Sequence, residues 1–379
     1  MVRILNTWSD ADRAYMQEAI ALAERGRGHT APNPMVGCVL VKDGRTIGRG
    51  YHHRYGDLHA ERDALAACTE DPAGATMYVT LEPCCHHGKQ PPCTDAVIAH
   101  GIKRVFIGSA DPNPLVAGKG VKILREHGIE VIEGILQKEC DALNEIFFHY
   151  ITKAWPFITV KYAMTLDGKI ATCTGESKWI TGEEARLYVQ RERLRHSAIM
   201  VGIGTVLADD PLLTCRLENG RNPIRIICDS NLRIPLESKI VQTAKDVPTI
   251  IAMTSCNKGY DREKREKRHI LEEMGCTIIS TVPNPNRVDL YTLVRKLSEK
   301  KIDSILVEGG GELIENLFRR ELVTKVKAYI APKIFGGRNA KTPVEGTGVK
   351  TPDNAYMIEK TKIQRIGTDI LIEGKVVYK

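Results

Sequence analysis

The sequence lacks long apolar runs: it contains no stretch of 18 apolar residues and no hydrophobic segment typical of a signal peptide. It also lacks internal repeats and low-complexity tracts. Its 11 cysteines are an odd number, scattered through predicted strands rather than arranged as a paired framework. These absences argue against a membrane-spanning or disulfide-built protein, and we expect a reducing, cytoplasmic environment.

A strong charge of one sign is also missing. The formal net charge is +7 over 379 residues, and the basic residues are not gathered into the aromatic-studded stripe typical of nucleic-acid binding. The modest excess equally suits phosphorylated small molecules. The chain has 379 residues, which is longer than a domain with a single hydrophobic core usually is, so we expect two domains. Its 42% hydrophobic content is enough for a core in each.

Three metal-ligand side chains and a carboxylate stand out in the first half, namely His59, Cys84, Cys93 and Glu61. One imidazole and two thiolates can hold Zn²⁺ and leave the fourth tetrahedral position to water, whose pKa the metal lowers to roughly 7. Glu61 follows the histidine by two residues and can move that water's proton. This is the pattern of zinc deaminases, and it predicts hydrolytic deamination.

Other interpretations of the cluster are a structural zinc site, a zinc-bound protein without catalysis, or reduced core cysteines. Structural sites usually have four protein ligands and need no adjacent carboxylate. Cys85 could close the site as a fourth protein ligand, but the side chains of two consecutive residues, here Cys84 and Cys85, rarely face the same ion. An RNA-editing deaminase would share the zinc site, yet the charge pattern disfavours it. We therefore prefer the catalytic prediction.

Helix and strand patterns alternate through the first 145 or so residues, which predicts an α/β layered domain that begins with a hairpin turning at residues 42–45 and whose later part is mostly parallel. Residues 10–25 have amphipathic helical spacing. A further helix is expected to begin at Cys93, because Pro91 and Pro92 suit a helix entry. Strand ends place residues 82–84 and 111–113 at one edge of the sheet, where such sheets bind ligands.

A shift to aromatic residues at 146–156 indicates a boundary, and we expect domains at residues 1–148 and 149–379. Beyond it, the charged segment 261–268 predicts a solvated helix face. A strand is predicted at residues 157–161, and further strands are predicted near six positions of the second half: Ala198, Ile224, Thr249, Thr277, Ser304 and Lys325.

Two glycine segments bear on cofactor binding. Residues 202–204 lack the third glycine of a dinucleotide fingerprint and are poor evidence for such a site. Residues 304–314 run from a buried strand through three glycines into a helix, where free N–H groups and the helix dipole favour a phosphate. A glycine-rich turn without a ligand is an equally good interpretation of this pattern by itself.

The spacing between the cysteines distinguishes this chain from most zinc deaminases. Eight residues separate Cys84 from Cys93, whereas the generic zinc deaminase pattern has two. With segments 32–39 and 81–93, the first half resembles the bifunctional riboflavin-biosynthesis deaminase/reductase family. Segments 161–171, 175–181 and 204–214 resemble its reductase half. The resemblance implies an N-terminal cytidine-deaminase-like α/β/α zinc domain and a C-terminal dihydrofolate-reductase-like α/β domain.

The resemblance also implies two reactions with Zn²⁺ and NADPH as cofactors. The first is hydrolytic deamination of 2,5-diamino-6-ribosylamino-4(3H)-pyrimidinone 5′-phosphate. The second is reduction of the ribosyl group, which gives 5-amino-6-(5-phosphoribitylamino)uracil. We expect small-molecule pyrimidine ribose phosphates as partners, no nucleic acid or membrane, and a homo-oligomer, either a dimer or a tetramer.

Site residues follow from the same resemblance. Glu61 is the catalytic acid–base, and the metal ligands are His59, Cys84 and Cys93. The implied deaminase substrate contacts are Asn33, His52, Lys89, Asp111 and Asn113. The implied NADPH contacts are Ala163, Trp179, Thr205, Asp209, Gly310 and Gly311. The implied reductase substrate contacts are Lys161, Ser177, Arg193, Arg216 and Glu308.

Plainer interpretations remain for several of these residues. Lys89 can be a surface lysine. Arg193 shares one helix with three other arginines, most of which must be solvated. Trp179 can be a core aromatic, and Asp167 in a matching segment can be a turn residue.

Overall fold

A computed structural model describes residues 8–255, 262–283 and 287–378. These residues form two compact units, of which the first ends at Ala154 and the second begins at Trp155. The boundary expected between residues 148 and 149 falls inside the helix Glu145–Lys153, whose Phe147 is buried in the core of the first unit.

The first unit has a five-stranded sheet in the order β2-β1-β3-β4-β5. Strand β1 is antiparallel to β2 and β3, whereas β3, β4 and β5 are parallel. Its strands are β1 Gly37–Lys42, β2 Arg45–Tyr51, β3 Thr76–Leu81, β4 Arg104–Ser109 and β5 Glu130–Glu133. Its helices are α1 Asp10–Glu24, α2 Ala60–Ala66, α3 Cys93–Ala99, α4 Lys119–Glu126, α5 Gln137–Leu143 and α6 Glu145–Lys153.

Helices cover both faces of this sheet. Alternate strand residues such as Met77 and Tyr78 belong to different core clusters, because successive side chains of a strand point to opposite faces. One cluster includes residues of α2, α3 and α4, and the other includes residues of α1 and α5. The predicted helix at residues 10–25 is confirmed as α1, where Ser9 and Asp12 form a capping box.

The second unit has a nine-stranded sheet in the order β10-β9-β8-β7-β11-β6-β12-β14-β13. It is parallel from β10 to β12, and β14 and β13 extend it antiparallel. Its strands are β6 Phe157–Thr165, β7 Ala198–Gly202, β8 Ile224–Cys228, β9 Thr249–Thr254, β10 Cys276–Thr281, β11 Ser304–Val307, β12 Lys325–Ala331, β13 Met357–Ile366 and β14 Asp369–Val377. Its helices are α7 Glu183–Arg195, α8 Ile203–Asp209, α9 Lys239–Gln242, α10 Arg262–Glu273, α11 Leu290–Glu299 and α12 Gly311–Arg319, and Pro352–Asn354 is a short 3₁₀ helix.

The strands predicted for the second half are confirmed as β6 to β12. Four of the six later ones, β7, β8, β9 and β11, are mostly buried apolar runs, whereas β10 alternates in burial and β12 includes two buried lysines. Strands β13 and β14 were not predicted. Strand β13 is exposed along most of its length and therefore has no apolar alternation to signal it. Helix α10 confirms the solvated helix, although Asp261 lies outside the described residues. No helix in the described part of the chain is long and apolar enough to cross a bilayer.

Candidate active sites

His59, Cys84 and Cys93 converge at one edge of the first sheet. His59 is the N-cap of α2, Cys93 is the first residue of α3 as predicted, and Cys84 follows β3. Both sulfurs lie 3.4 Å from His59 Nδ1. Ligands at usual Zn–N and Zn–S distances around one tetrahedral ion would be about 3.6 Å apart. The three side chains therefore fit zinc.

The two sulfurs differ in how readily they ionise: the hydrogen bond to Cys84 and burial raise the pKa of the Cys93 thiol, so Cys84 is the thiolate of the pair before a metal binds. A hydrogen bond from the Cys93 thiol, helped by His59, lowers the pKa of Cys84 to about 4. The thiolate is the form that binds metal. Cys85 is directed elsewhere, since its Sγ contacts Leu115 O at 3.8 Å. Among the described residues, the cluster of possible ligands contains His59, Cys84 and Cys93 and no fourth member.

Glu61 lies in the first turn of α2 and is 3% exposed. Burial raises the pKa of its carboxyl to about 7, and the neighbouring Cys84 thiolate acts in the same direction. A carboxyl group with a pKa near neutrality can both take and give a proton at physiological pH. Glu61 lines the same cavity as His59 and Cys84.

That cavity has a volume of about 220 Å³. Its wall brings together all five side chains that the family resemblance implied for the deaminase substrate, although they come from four separate segments of the chain: Asn33, His52, Lys89, Asp111 and Asn113. Their grouping around Glu61 is a property of the tertiary structure, because the first and last are 80 positions apart in the chain.

His52 and Asn33 form a fixed polar pair in this wall. His52 is 2% exposed, and burial lowers its pKa, so the ring is neutral. Its Nδ1 lies 2.9 Å from Leu58 O, to which it donates. Its Nε2 then accepts from Asn33 Nδ2 at 3.2 Å. This arrangement directs the amide nitrogen of Asn33 to His52, so its carbonyl oxygen can accept other hydrogen bonds.

Lys89 lies at the rim of the cavity. Its ammonium group is 4.0 Å from the centre of the Tyr55 ring, which is a cation–π contact. The next residue, Gln90, donates from Nε2 to Gly56 O at 3.0 Å. The segment before Cys93 is thus attached to the segment before α2, and Lys89 has a defined place although it is exposed.

Glu82 is a residue of this site whose role the sequence did not reveal. It is 3% exposed, and its Oε2 accepts from Gly118 N at 3.0 Å and Asp111 N at 3.3 Å. Its Oε1 accepts from Val121 N at 3.2 Å. Glu82 therefore holds the start of α4 and the loop that carries Asp111. The available signal was an acidic residue directly after a buried strand.

Asp111 is buried beside Glu82. Burial raises the pKa of Asp111 to about 6, and the charge of Glu82 acts in the same direction. Its Oδ1 accepts from Asn113 N at 2.8 Å, which fixes the turn carrying both predicted substrate residues.

In the second unit, Arg193 and Glu308 form a bidentate ion pair. Arg193 Nε and Nη2 each lie 2.8 Å from a Glu308 oxygen, and Nη1 donates to Thr214 O at 2.9 Å. Burial opposes ionisation of Glu308, but Arg193 outweighs it and lowers the pKa of Glu308 to about 2. The alternative that Arg193 is a solvated helix residue is therefore wrong.

Lys161 and Arg216 belong to the surroundings of this pair. Burial lowers the pKa of Lys161, whereas the charge of Glu308 opposes that effect. The charge of Arg216 helps to lower the pKa of Glu308, and its backbone N–H donates to Gln190 of α7. No hydrogen bond or ion pair among the described residues joins Ser177 to the pair.

The two glycine segments lie side by side. Gly202 N donates to Gly309 O at 3.1 Å, so the end of β7 meets the end of β11. A Cβ placed on Gly309 or Gly310 would lie 3.5 or 3.7 Å from Thr205 Oγ1. Helix α12 begins at Gly311. The Thr205 hydroxyl therefore borders the turn between β11 and α12.

The remaining predicted NADPH residues are placed apart from these contacts. Ala163 lies in β6, opposite Tyr329 of β12, and Asp209 ends α8. Trp179 is 58% exposed, with the Arg186 guanidinium 4.7 Å from its ring centre, so its interpretation as a core aromatic is wrong.

Asp167 is confirmed as a turn residue. Its carboxylate accepts from Gly336 N at 2.7 Å and Phe335 N at 3.2 Å, which joins the turn after β6 to the segment after β12.

Comparison with known proteins gives matches over both units. Residues 9–109 match the family described as cytidine and deoxycytidylate deaminase zinc-binding region, and residues 156–372 match the RibD C-terminal domain. The chain is 52% identical to the riboflavin biosynthesis protein RibD of Actinobacillus pleuropneumoniae, over 98% of this chain and 96% of the relative. It is 39% identical to RibD of Escherichia coli, over 95% of this chain and 98% of the relative.

Solved structures agree with these matches. A diaminohydroxyphosphoribosylaminopyrimidine deaminase/5-amino-6-(5-phosphoribosylamino)uracil reductase from Thermotoga maritima has a TM-score of 0.82 at 39% identity, covering 97% of this chain and 99% of that one. RibD from Acinetobacter baumannii has a TM-score of 0.83 at 35% identity with the same coverage. The chain therefore belongs to the RibD family, the bifunctional deaminase/reductases of riboflavin biosynthesis.

Proposed function

We propose that the first unit deaminates 2,5-diamino-6-ribosylamino-4(3H)-pyrimidinone 5′-phosphate and that the second reduces the ribosyl group of the product with NADPH. The observation that carries the proposal is the meeting of Glu61, a three-ligand zinc set and five polar side chains around one cavity. The product of the second reaction is 5-amino-6-(5-phosphoribitylamino)uracil.

His59, Cys84 and Cys93 would hold Zn²⁺, which would activate a water molecule for attack at neutral pH. Glu61 is the proton carrier. Its buried carboxyl, with a pKa of about 7, can take one proton from the attacking water and give it to the pyrimidine ring nitrogen. It can then take the second proton from the hydroxyl group added to the ring and give it to the amino group as this leaves. The neutral ring of His52 holds Asn33 so that its carbonyl oxygen can accept a hydrogen bond from the substrate's amino group.

Lys89, Asp111 and Asn113 complete the proposed deaminase contacts. Lys89 has a flexible stem and a compact charge, which suits a phosphate that must enter and leave. Asp111 and Asn113 share one turn and can accept and donate hydrogen bonds to the ribose hydroxyl groups.

In the second unit, NADPH supplies the hydride. The turn at Gly310 and Gly311 can place backbone N–H groups and the Thr205 hydroxyl around the pyrophosphate. The family resemblance adds three cofactor contacts: Ala163, Trp179 and Asp209.

The proposed ribosyl phosphate site lies at the ion pair of the second unit. Glu308 is held ionised by Arg193, so its carboxylate can accept hydrogen bonds from sugar hydroxyl groups. Lys161 and Arg216 supply positive charge beside it. The family resemblance adds Ser177 to this proposed site.

We further propose a homo-oligomer, either a dimer or a tetramer, that acts in the cytoplasm. The support for self-association is the exposed edge strand β13, on which the side chain of Ile363 is 72% exposed. Sedimentation equilibrium of the purified chain tests this, and a monomer at micromolar concentration would contradict it.

The two activities are tested in one reaction with the diaminopyrimidine substrate, with and without NADPH, followed by mass spectrometry. Without NADPH, the product should have exchanged an amino group for oxygen. With NADPH, it should also gain two hydrogens. An unchanged substrate in the presence of zinc would contradict the proposed deamination, and loss of NADPH without ribitol formation would contradict the proposed reduction.

A further inference from the structure

Arg62 lies directly after Glu61 on α2 and reaches across to the segment that precedes Cys93. Its Nε donates to Pro91 O at 3.2 Å, and its Nη2 donates to Pro92 O at 2.9 Å. The guanidinium therefore connects the helix that begins after His59 to the start of the helix that begins with Cys93.

The prolines explain why an arginine suits this place. A proline residue has a carbonyl acceptor but no N–H donor, so two consecutive prolines present carbonyls without donors of their own. The planar guanidinium offers several N–H groups in a fixed fork, which matches two neighbouring oxygens better than a single ammonium does.

The metal ligands differ in how they are held. Cys84 and Cys93 are joined through the backbone, because Cys93 N and Thr94 N donate to Cys84 O at 3.0 and 3.2 Å. His59 comes from a different part of the chain and makes no side-chain capping bond to α2. Its distance from the cysteines therefore depends on where α2 sits relative to α3.

Helix α2 has a second polar attachment next to Arg62. The Oδ2 of Asp63 accepts from Tyr51 N at 3.0 Å and lies 3.1 Å from His53 Nε2. Asp63 thus fixes α2 to the end of β2, whereas Arg62 fixes it to the segment before Cys93. The first attachment sets the helix on the sheet, and the second sets His59 opposite the sulfurs.

We propose that Arg62 is a positioning residue of the metal site, which holds His59 Nδ1 at the 3.4 Å separation from Cys93 Sγ that a shared ion needs. This rests on the proposed function, in which these side chains bind zinc. Loss of contacts that orient metal ligands typically weakens metal affinity by about 10- to 100-fold. Arg62→Met removes both hydrogen bonds while keeping an unbranched apolar stem.

The test uses the full chain, stripped of metal, with zinc affinity measured by competition against a chromophoric chelator. Arg62→Met should bind zinc about 10- to 100-fold more weakly than the parent, and Arg62→Lys should lose less because its ammonium can still reach one carbonyl. Arg45→Met is the matched control, since Arg45 is an exposed arginine of the same unit that pairs with Glu70. It should keep the parental affinity.

A merely structural role gives a different result. If Arg62→Met lowers the thermal midpoint of the metal-free protein but keeps parental zinc affinity, the proposal is overturned. If Arg62→Met does not fold, Arg62→Lys decides, since parental affinity in that variant overturns the proposal and weaker affinity supports it. Cys93→Ser tests the zinc site itself, because unchanged affinity there would refute the ligand set whatever Arg62 does.

Discussion

Arg193 and Glu308, 115 positions apart in the chain, face each other as a planar pair with two 2.8 Å hydrogen bonds. Their side chains are only 13% and 9% exposed. A buried pair of this kind is strongly destabilising to break from one side, because the remaining charge stays buried without its partner. Removing one partner or both therefore distinguishes what the pair contributes to stability from what it contributes to substrate binding.

Arg193→Met should therefore destabilise the second unit by about 3–5 kcal/mol. The double variant Arg193→Met with Glu308→Leu should recover most of that stability but should not recover reduction, since the ionised carboxylate is gone. Urea unfolding and NADPH oxidation measure the two quantities. Reduction by the double variant at a parental rate would show that the pair is structural.

Glu61→Gln should keep zinc and lose deamination by about 100-fold or more, because the amide cannot carry a proton. Metal content and the rate of amino-group release measure this, and NADPH-dependent reduction of supplied aminouracil by the same sample is the internal control. Near-parental deamination would exclude Glu61 as the proton carrier.

Gly310→Val should fold, since φ at this residue is −88° and an added Cβ would meet only Thr205 Oγ1 at 3.7 Å. Its side chain would occupy the place proposed for the pyrophosphate at the start of α12. We therefore expect weaker NADPH binding in a fluorescence titration and loss of reduction, with deamination unchanged. Unaltered NADPH affinity would place the cofactor elsewhere.

Stability of the second unit should fall with acidity between pH 6.5 and 4. Burial lowers the pKa of His196 from 6.5 to about 4, and its ring contacts Glu192 O and Thr159 Oγ1 at 2.8 Å. Below pH 6.5 this histidine is protonated in the unfolded chain but stays neutral in the folded chain. The free energy of unfolding therefore falls by up to about 3 kcal/mol over this range.

Urea unfolding at several pH values measures this loss. His196→Gln should have a shallower dependence between pH 6.5 and 4 than the parent. His127→Gln, at an exposed helix end of the first unit, is the control and should keep the parental slope for the second unit. An unchanged slope in His196→Gln would show that another group titrates.

A fragment ending at Ala154 should deaminate without NADPH, because it retains α6 and the core residue Phe147. A fragment ending at Phe148 would cut this helix and remove Ile151, which packs against the same core, so it should be less stable.

Cys84→Ser in the full chain should lose deamination but should still reduce supplied aminouracil ribosyl phosphate, because the two proposed sites lie in different units. Loss of reduction in folded Cys84→Ser would argue for one composite site.

The sequence by itself was sufficient for the features that depend on local pattern. The start of α3 at Cys93 follows from the preceding prolines, and strands such as β7, β9 and β11 follow from buried apolar runs. The spacing of His59, Glu61 and the two cysteines predicts zinc-dependent deamination, because each residue type has a distinct role in that reaction. These signals are contained in short segments, so no knowledge of distant contacts is needed.

Only the tertiary structure decided which polar residues are paired. The partner of Arg193, the three backbone groups held by Glu82 and the carbonyls held by Arg62 come from segments far away in the chain. A charged side chain on a helix looks the same in sequence whether it meets water or a buried carboxylate. The difference is set by how the strands align and where each helix packs, and burial then makes the pairing necessary.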